Sequence, residues 1–153
     1  MAAQPEEKEN KKDKQLIGWG SLLSVENAKL DKQHHDIVDA VNVLANNMAL
    51  DNLLKLQSLF IEHLRTEQEL FEAFNYNKEE RNEHVKAHVE FLKFIEKEVQ
   101  RVKASESKQC DPEWPNQFAN MFVKHAFEYD SKYIDCLKDQ QQKQQEQQDK
   151  QEK

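Results

Sequence analysis

Residues 21–111 contain neither glycine nor proline, and this limits the folds open to the chain more than any other feature. Glycine and proline punctuate turns, and both are costly inside a helix. The whole chain has only two glycines, Gly18 and Gly20, and three prolines, Pro5, Pro112 and Pro115. Long helices are therefore expected through its middle, as opposed to the short strands and frequent turns of a sandwich. No segment of useful length alternates with the period of a strand. A length of 153 residues suits one domain, with little room for a second.

The apolar residues recur with helical spacing. Leu30, His34, Ile37, Val38, Val41, Leu44, Ala45 and Met48 follow one another at three- and four-residue steps, which places them on one helix face. A second stripe runs Leu56, Leu59, Phe60, His63, Glu67, Leu70, Phe71 and Phe74, with Asp51 as its expected N-cap. The third is His84, His88, Phe91, Leu92, Ile95, Val99 and Val102, following Asn77, which can cap it with Glu80 three residues on. After the polar stretch 105–109, Asp111 and Pro112 read as a cap and a first-turn proline. Phe118, Met121, Phe122, His125 and Tyr129 then mark a fourth helix. Four amphipathic helices on short connections pack most economically as an antiparallel bundle.

The apolar content of 37% is low, but much of the dilution lies at the ends. Residues 1–15 have no strong hydrophobe after Met1, and residues 139–153 have none at all. We read 1–15 as a disordered charged arm and 16–138 as the folded domain. Residues 139–153 form a Gln-rich polar tail, either disordered, frayed, or extending the last helix as a polar rod. The net charge of −7 resides mainly in 16–138. Such an acidic body argues against a nucleic-acid partner. No apolar run nears the roughly 18 residues of a membrane span, and no signal-peptide core opens the chain, so a cytoplasmic protein away from membranes is expected. Cys110 and Cys136 lack CxxC spacing and read as ordinary reduced thiols. Neither a phosphate-cradling Gly-rich loop nor a Ser-His-Asp or Cys-His spacing is present, which leaves hydrolase and kinase chemistry unsupported.

Against this plain background, four short segments pick out seven residues that use five of the six histidines: His34, His63 with Glu67, His84 with His88, and His125 with Asp130. Most lie on stripes that otherwise read as buried faces. A buried imidazole or carboxylate without partners costs several kcal/mol, so these residues need metal, one another, or water. Asp130 is five residues after His125, about 140° round an ideal α-helix. It joins the set if both side chains reach in from the edges of the stripe, or if a π-bulge lies between them. If all seven bind two ions with the carboxylates bridging, five imidazoles divide three and two. A shared oxide or hydroxide from solvent then leaves one octahedral position open, on one ion only. Imidazole with carboxylate suits iron, and manganese or zinc also fit the ligand type. His35, the sixth histidine, falls on the polar side and reads as solvated.

In the segments LDKQHHDIV, HLRTE, HVKAH and HAFEYD the sequence resembles the haemerythrins, non-haem di-iron proteins that bind O2 reversibly. The likeness extends over residues 19–137. It implies an all-α, antiparallel up-down four-helix bundle with a di-iron site in its core. It further implies that His84, His88 and His125 hold one iron and His34 and His63 the other, bridged by Glu67, Asp130 and a solvent-derived oxide or hydroxide. The two-histidine iron would carry the open position, where O2 binds as a hydroperoxide and leaves unconsumed. Ile37, Leu64, Met121 and Tyr133 correspond to the positions that line the family's O2 pocket. Nitric oxide, azide or peroxide would enter the same place.

Ligand type supplies a reason for carrying O2 as opposed to activating it. Carboxylate-rich di-iron bundles favour high-valent iron, whereas five neutral imidazoles favour the ferrous state. Oxygen carrying, storage or buffering is therefore expected, in a dry apolar pocket, with no catalytic residue assigned. The alternatives are a di-iron redox enzyme that reduces peroxide or nitric oxide or oxidises iron, and iron storage or oxygen sensing by the same residues. The chain departs from the family pattern at Met121, where tryptophan is frequent, and at Gly20 after Trp19, where aspartate is common. Its span from His88 to His125 is also longer than in the short animal members. Trp19 and Tyr133 read first as core packing.

Overall fold

The computed structural model describes residues 15–18, 24–74 and 76–152. Residues 1–14 of the charged arm, together with Trp19 and Gly20, lie outside the described residues. The described chain is helical, in four lengths with no strand among them: α1 (Ala28–Asn46), α2 (Leu50–Ala73), α3 (Lys78–Ala104), and a fourth made of α4 (Trp114–His125), a π-helical turn (Ala126–Asp130) and α5 (Ser131–Gln151). No helix among the described residues is long and apolar enough to cross a membrane.

Local chemistry starts these helices. Asn27 Oδ1 accepts from the backbone N–H groups of Lys29 and Leu30, both at 3.1 Å. Asn77 Oδ1 does the same for Glu79 at 3.0 Å and Glu80 at 3.1 Å, and so caps α3 as its sequence suggests. Two expected caps prove to be displaced. Asp51 is not the N-cap of α2; it sits inside the first turn, and the helix starts from Ala49 without a side-chain cap. Asn47 shapes that entry instead, its Oδ1 accepting from Ala49 N–H at 3.2 Å and its carbonyl from Asn52 Nδ2 at 2.9 Å. Asp111 caps a turn and not the helix itself: its Oδ1 accepts from Glu113 N–H at 2.8 Å. The helix α4 begins at Trp114, with Pro115 and not Pro112 in its first turn.

Helix α1 packs on α2 and on α4, and α2 packs on α3. Two apolar clusters result. The larger includes Ile37, Leu44, Leu56, Phe60, Phe91, Ile95, Phe118 and Phe122; the smaller consists of Val25, Leu30, Phe71, Tyr76, Tyr133 and Leu137. At the end of the larger cluster, the carboxylate of Glu98 is bound by Arg101 at 2.6 Å and by the N–H of Asp111 at 2.9 Å. Cys110 N–H donates to Met48 O at 2.8 Å, which joins the α3–α4 connection to the α1–α2 corner. Helix α5 outruns the core. Leu137 is its last buried residue, Gln140 is half-buried with its amide on Phe74 O at 3.4 Å, and from 141 the chain stays helical and exposed to Gln151, the polar-rod form of the Gln-rich tail.

Candidate metal centre

A polar layer lies where the two clusters meet. His34 faces the ring of Phe122 edge-on at 5.6 Å, and His125 meets Phe91 at 5.2 Å, both on the side of the larger cluster. His84 rests on Phe71 at 4.9 Å and on Tyr133 at 5.4 Å, on the side of the smaller. Each donor occupies the inward stripe of its helix: His34 on α1, His63 and Glu67 one turn apart on α2, His84 and His88 one turn apart on α3, and His125 at the end of α4. All five histidines and both acids are buried.

Asp130 arrives by way of the π-helical turn. Ser131 N–H donates to Ala126 O, five residues back. A turn closed in that way stacks residues five apart, as an α-turn does not. Asp130 Oδ1 consequently lies 3.2 Å from His125 Nε2. Of the two routes open from the sequence, the π-bulge is the one present.

The two carboxylates are arranged alike. Glu67 Oε1 is 2.9 Å from His63 Nε2, and its Oε2 is 2.9 Å from His88 Nε2 and 3.3 Å from His84 Nε2. Asp130 Oδ2 is 3.4 Å from His34 Nε2, and its Oδ1 is 3.1 Å from His84 Nε2. Each acid thus turns one oxygen toward the His34–His63 pair, Glu67 to His63 and Asp130 to His34, and the other toward His84, which Glu67 shares with His88 and Asp130 with His125. Within the halves, His34 and His63 bring their Nε2 atoms to 3.0 Å, and so do His84 and His125.

This crowding is poorly served by hydrogen bonds alone. Glu67 Oε2, His88 Nε2 and both oxygens of Asp130 are buried without an aligned partner among the described residues, as are the Nδ1 atoms of His84 and His125. Native interiors rarely leave so many polar atoms unpaired in one place. A first-row cation resolves the conflict, because two imidazoles at about 2.1 Å on adjacent positions of one ion place their nitrogens about 3.0 Å apart. The buried cluster could therefore hold a metal ion, and the donors gather as Glu67, His84, His88 and His125 and as His34, His63 and Glu67.

Electrostatics couple the groups strongly. Burial works against charge on Glu67, yet His63, His84 and His88 hold it well below the usual carboxylate range. Burial and Glu67 both oppose ionisation of Asp130, and His125 and His84 prevail in keeping it low. For His63, Glu67 outweighs the burial that would lower it, and its pKa rises. His84 is likewise depressed by burial, but Asp130 and Glu67 raise it to about 9. His88 goes the other way: burial brings it down to about 4, with Glu67 opposing only in part. Acids held ionised thus share one buried volume with two rings that keep a proton more tightly than a free imidazole, His63 and His84, and one that gives it up more readily, His88.

Residues outside the seven also serve the cluster. Tyr133 donates its hydroxyl to Glu67 Oε1 at 2.7 Å. Burial and the two nearby acids push that phenol well above its ordinary pKa, so it stays a donor. His63 Nδ1 donates to Gln33 Oε1 at 3.0 Å. Neither contact shows as a pattern in the sequence, although the place of Tyr133 one turn beyond Asp130 hints at it. Of the expected pocket residues, Ile37 lies in the larger cluster with Leu64 and Met121 half-buried against it, while Tyr133 belongs to the smaller cluster. His35 is half exposed, 3.2 Å from Asp39. No family model, curated protein or solved structure matches the chain.

Proposed function

We propose that this chain is a haemerythrin-like, non-haem di-iron protein that binds O2 reversibly, its four helices forming an antiparallel up-down bundle around the metal pair. The observation that carries this reading is the division of both carboxylates: Glu67 turns one oxygen to His63 and the other to His84 and His88, while Asp130 turns one to His34 and the other to His84 and His125. One mononuclear ion would not use two such split acids. His84, His88 and His125 would hold one iron, and His34 and His63 the other. Glu67, Asp130 and a solvent-derived oxide or hydroxide would bridge them, which leaves an open position in the two-histidine half. Iron bound there would supply the electrons that make O2 binding favourable and recover them on release.

The remaining work falls to this chain's own side chains. Tyr133 steadies Glu67 through its 2.7 Å hydrogen bond, which fixes the tilt of the carboxylate between the two halves. Phe122 covers His34, and the fully buried Ile37 adds apolar bulk on the same helix. Such surroundings would keep water and protons from the open position and so favour the ferrous state. The five imidazoles are neutral donors when coordinated and favour the ferrous state.

Iron analysis combined with optical spectra tests the proposal. About two irons per chain, with a charge-transfer band that appears in air and vanishes when O2 is removed, is the expected result. Absence of iron, or a spectrum fixed in the oxidised form, would reject the carrier. The second outcome with peroxide or nitric oxide turnover would move the site to redox enzymology.

A further inference from the structure

The strongest unassigned feature beside the cluster is a run of three hydrogen bonds joining α1 to α2. Thr66 Oγ1 donates to Glu62 O at 3.1 Å, Gln33 Nε2 donates to Thr66 Oγ1 at 2.9 Å, and Gln33 Oε1 accepts from His63 Nδ1 at 3.0 Å. We propose that Gln33 is a positioning residue of the metal centre: its amide, oriented by Thr66, fixes His63 with Nε2 free to bind and, being a neutral acceptor, limits how strongly that imidazole donates. This inference rests on the di-iron reading and deepens it.

The order of the bonds determines the orientation. A threonine inside a helix turns its hydroxyl hydrogen to the carbonyl four residues back, and here that carbonyl is Glu62 O. With its hydrogen committed, Thr66 Oγ1 can only accept, so the side of the Gln33 amide facing it must be the NH2. The amide oxygen is then left for His63, whose Nδ1 must carry a proton to meet it. A neutral imidazole protonated at Nδ1 has its lone pair at Nε2, the atom 3.0 Å from His34 Nε2 and 2.9 Å from Glu67 Oε1. Thr66 is buried, and Gln33 is half-buried immediately before His34, so the relay also ties together the two helices that supply this half of the site.

The other half differs. His84 Nδ1 and His125 Nδ1 are buried and have no hydrogen-bond partner among the described residues. The fixed acceptor therefore stands behind a histidine of the half that, on the proposed reading, keeps the open position. An acceptor behind a ligating imidazole sets its basicity. A carboxylate there would draw the Nδ1 proton and make His63 a stronger donor, favouring the oxidised ion. The neutral amide of Gln33 holds the ring equally well without that pull, which suits an ion that must return to the ferrous state.

Anaerobic Fe(II) loading of the full chain tests this through two readouts, the Fe(II) dissociation constant by chelator competition and the reduction potential of the iron pair. Gln33→Leu is expected to weaken Fe(II) binding roughly 10- to 100-fold. Thr66→Val, which keeps the shape and frees the amide to flip, should weaken it less, and Thr66→Ser should restore it. Gln33→Glu should keep the affinity but lower the potential, a shift that a purely structural role would not produce. Wild-type affinity in both Gln33→Leu and Thr66→Val, or an unchanged potential in Gln33→Glu, would overturn the role of Gln33 while a wild type holding two irons left the di-iron reading standing. A wild type that takes up no iron would overturn both.

Discussion

A buried carboxylate is only as well placed as its weakest hydrogen bond, and for Glu67 the donor outside the imidazole set is Tyr133. Tyr133→Phe removes that donor and little volume. The metal-free protein is expected to lose about 2 kcal/mol, the range for a hydrogen bond to a charged buried acceptor, read from urea unfolding. Glu67→Ala should abolish most metal binding because it takes an oxygen from each half at once, whereas His35→Ala should leave metal content unchanged; elemental analysis of the purified variants compares them. Protonation gives a further expectation. His84, raised from 6.5 to about 9, stabilises the metal-free fold below pH 6.5, and that contribution is lost as the pH climbs through 9. His88, lowered from 6.5 to about 4, contributes above pH 6.5 and loses its contribution as the pH falls through 4. Thermal midpoints of the metal-free chain should accordingly peak near pH 6.5, and metal, which competes with protons for both rings, should flatten the profile.

Elements explain which of these features were readable beforehand. The stripes of α1, α2 and α3 repeat with helical period, so His34, His63, Glu67, His84 and His88 could be placed on inward faces from spacing alone. Asn77 was legible because a capping asparagine followed by Glu80 acts locally; Asn77→Ala should cost about 1 kcal/mol in the same urea measurement. Asp51 and Asp111 misled because a short acid within a residue or two of a helix start serves a turn as readily as a cap. The His125–Asp130 pair was ambiguous for a different reason. Spacing by five fits no α-face, and the choice of a π-turn is made by what the packed molecule gains from having Asp130 inside. Gln33 and Thr66 stayed hidden, since a glutamine among polar neighbours announces nothing until the helix beside it is in place.

Taken whole, the molecule concentrates its order around the polar layer and spends little on its C-terminal reach. Residues 141–152 are all exposed, so removing residues 141–153 should leave the melting temperature and metal content essentially unchanged, as calorimetry and iron analysis of the shortened chain would show. What the truncation would alter is hydrodynamics. At 1.5 Å per residue, the helical stretch beyond Gln140 extends about 16 Å from the last contact with the body. A body with such a spar is not a sphere in solution. It should drag more than its mass implies, elute earlier from a sizing column than the shortened chain by more than the lost mass accounts for, and tumble end over end more slowly than it spins about the axis of α5.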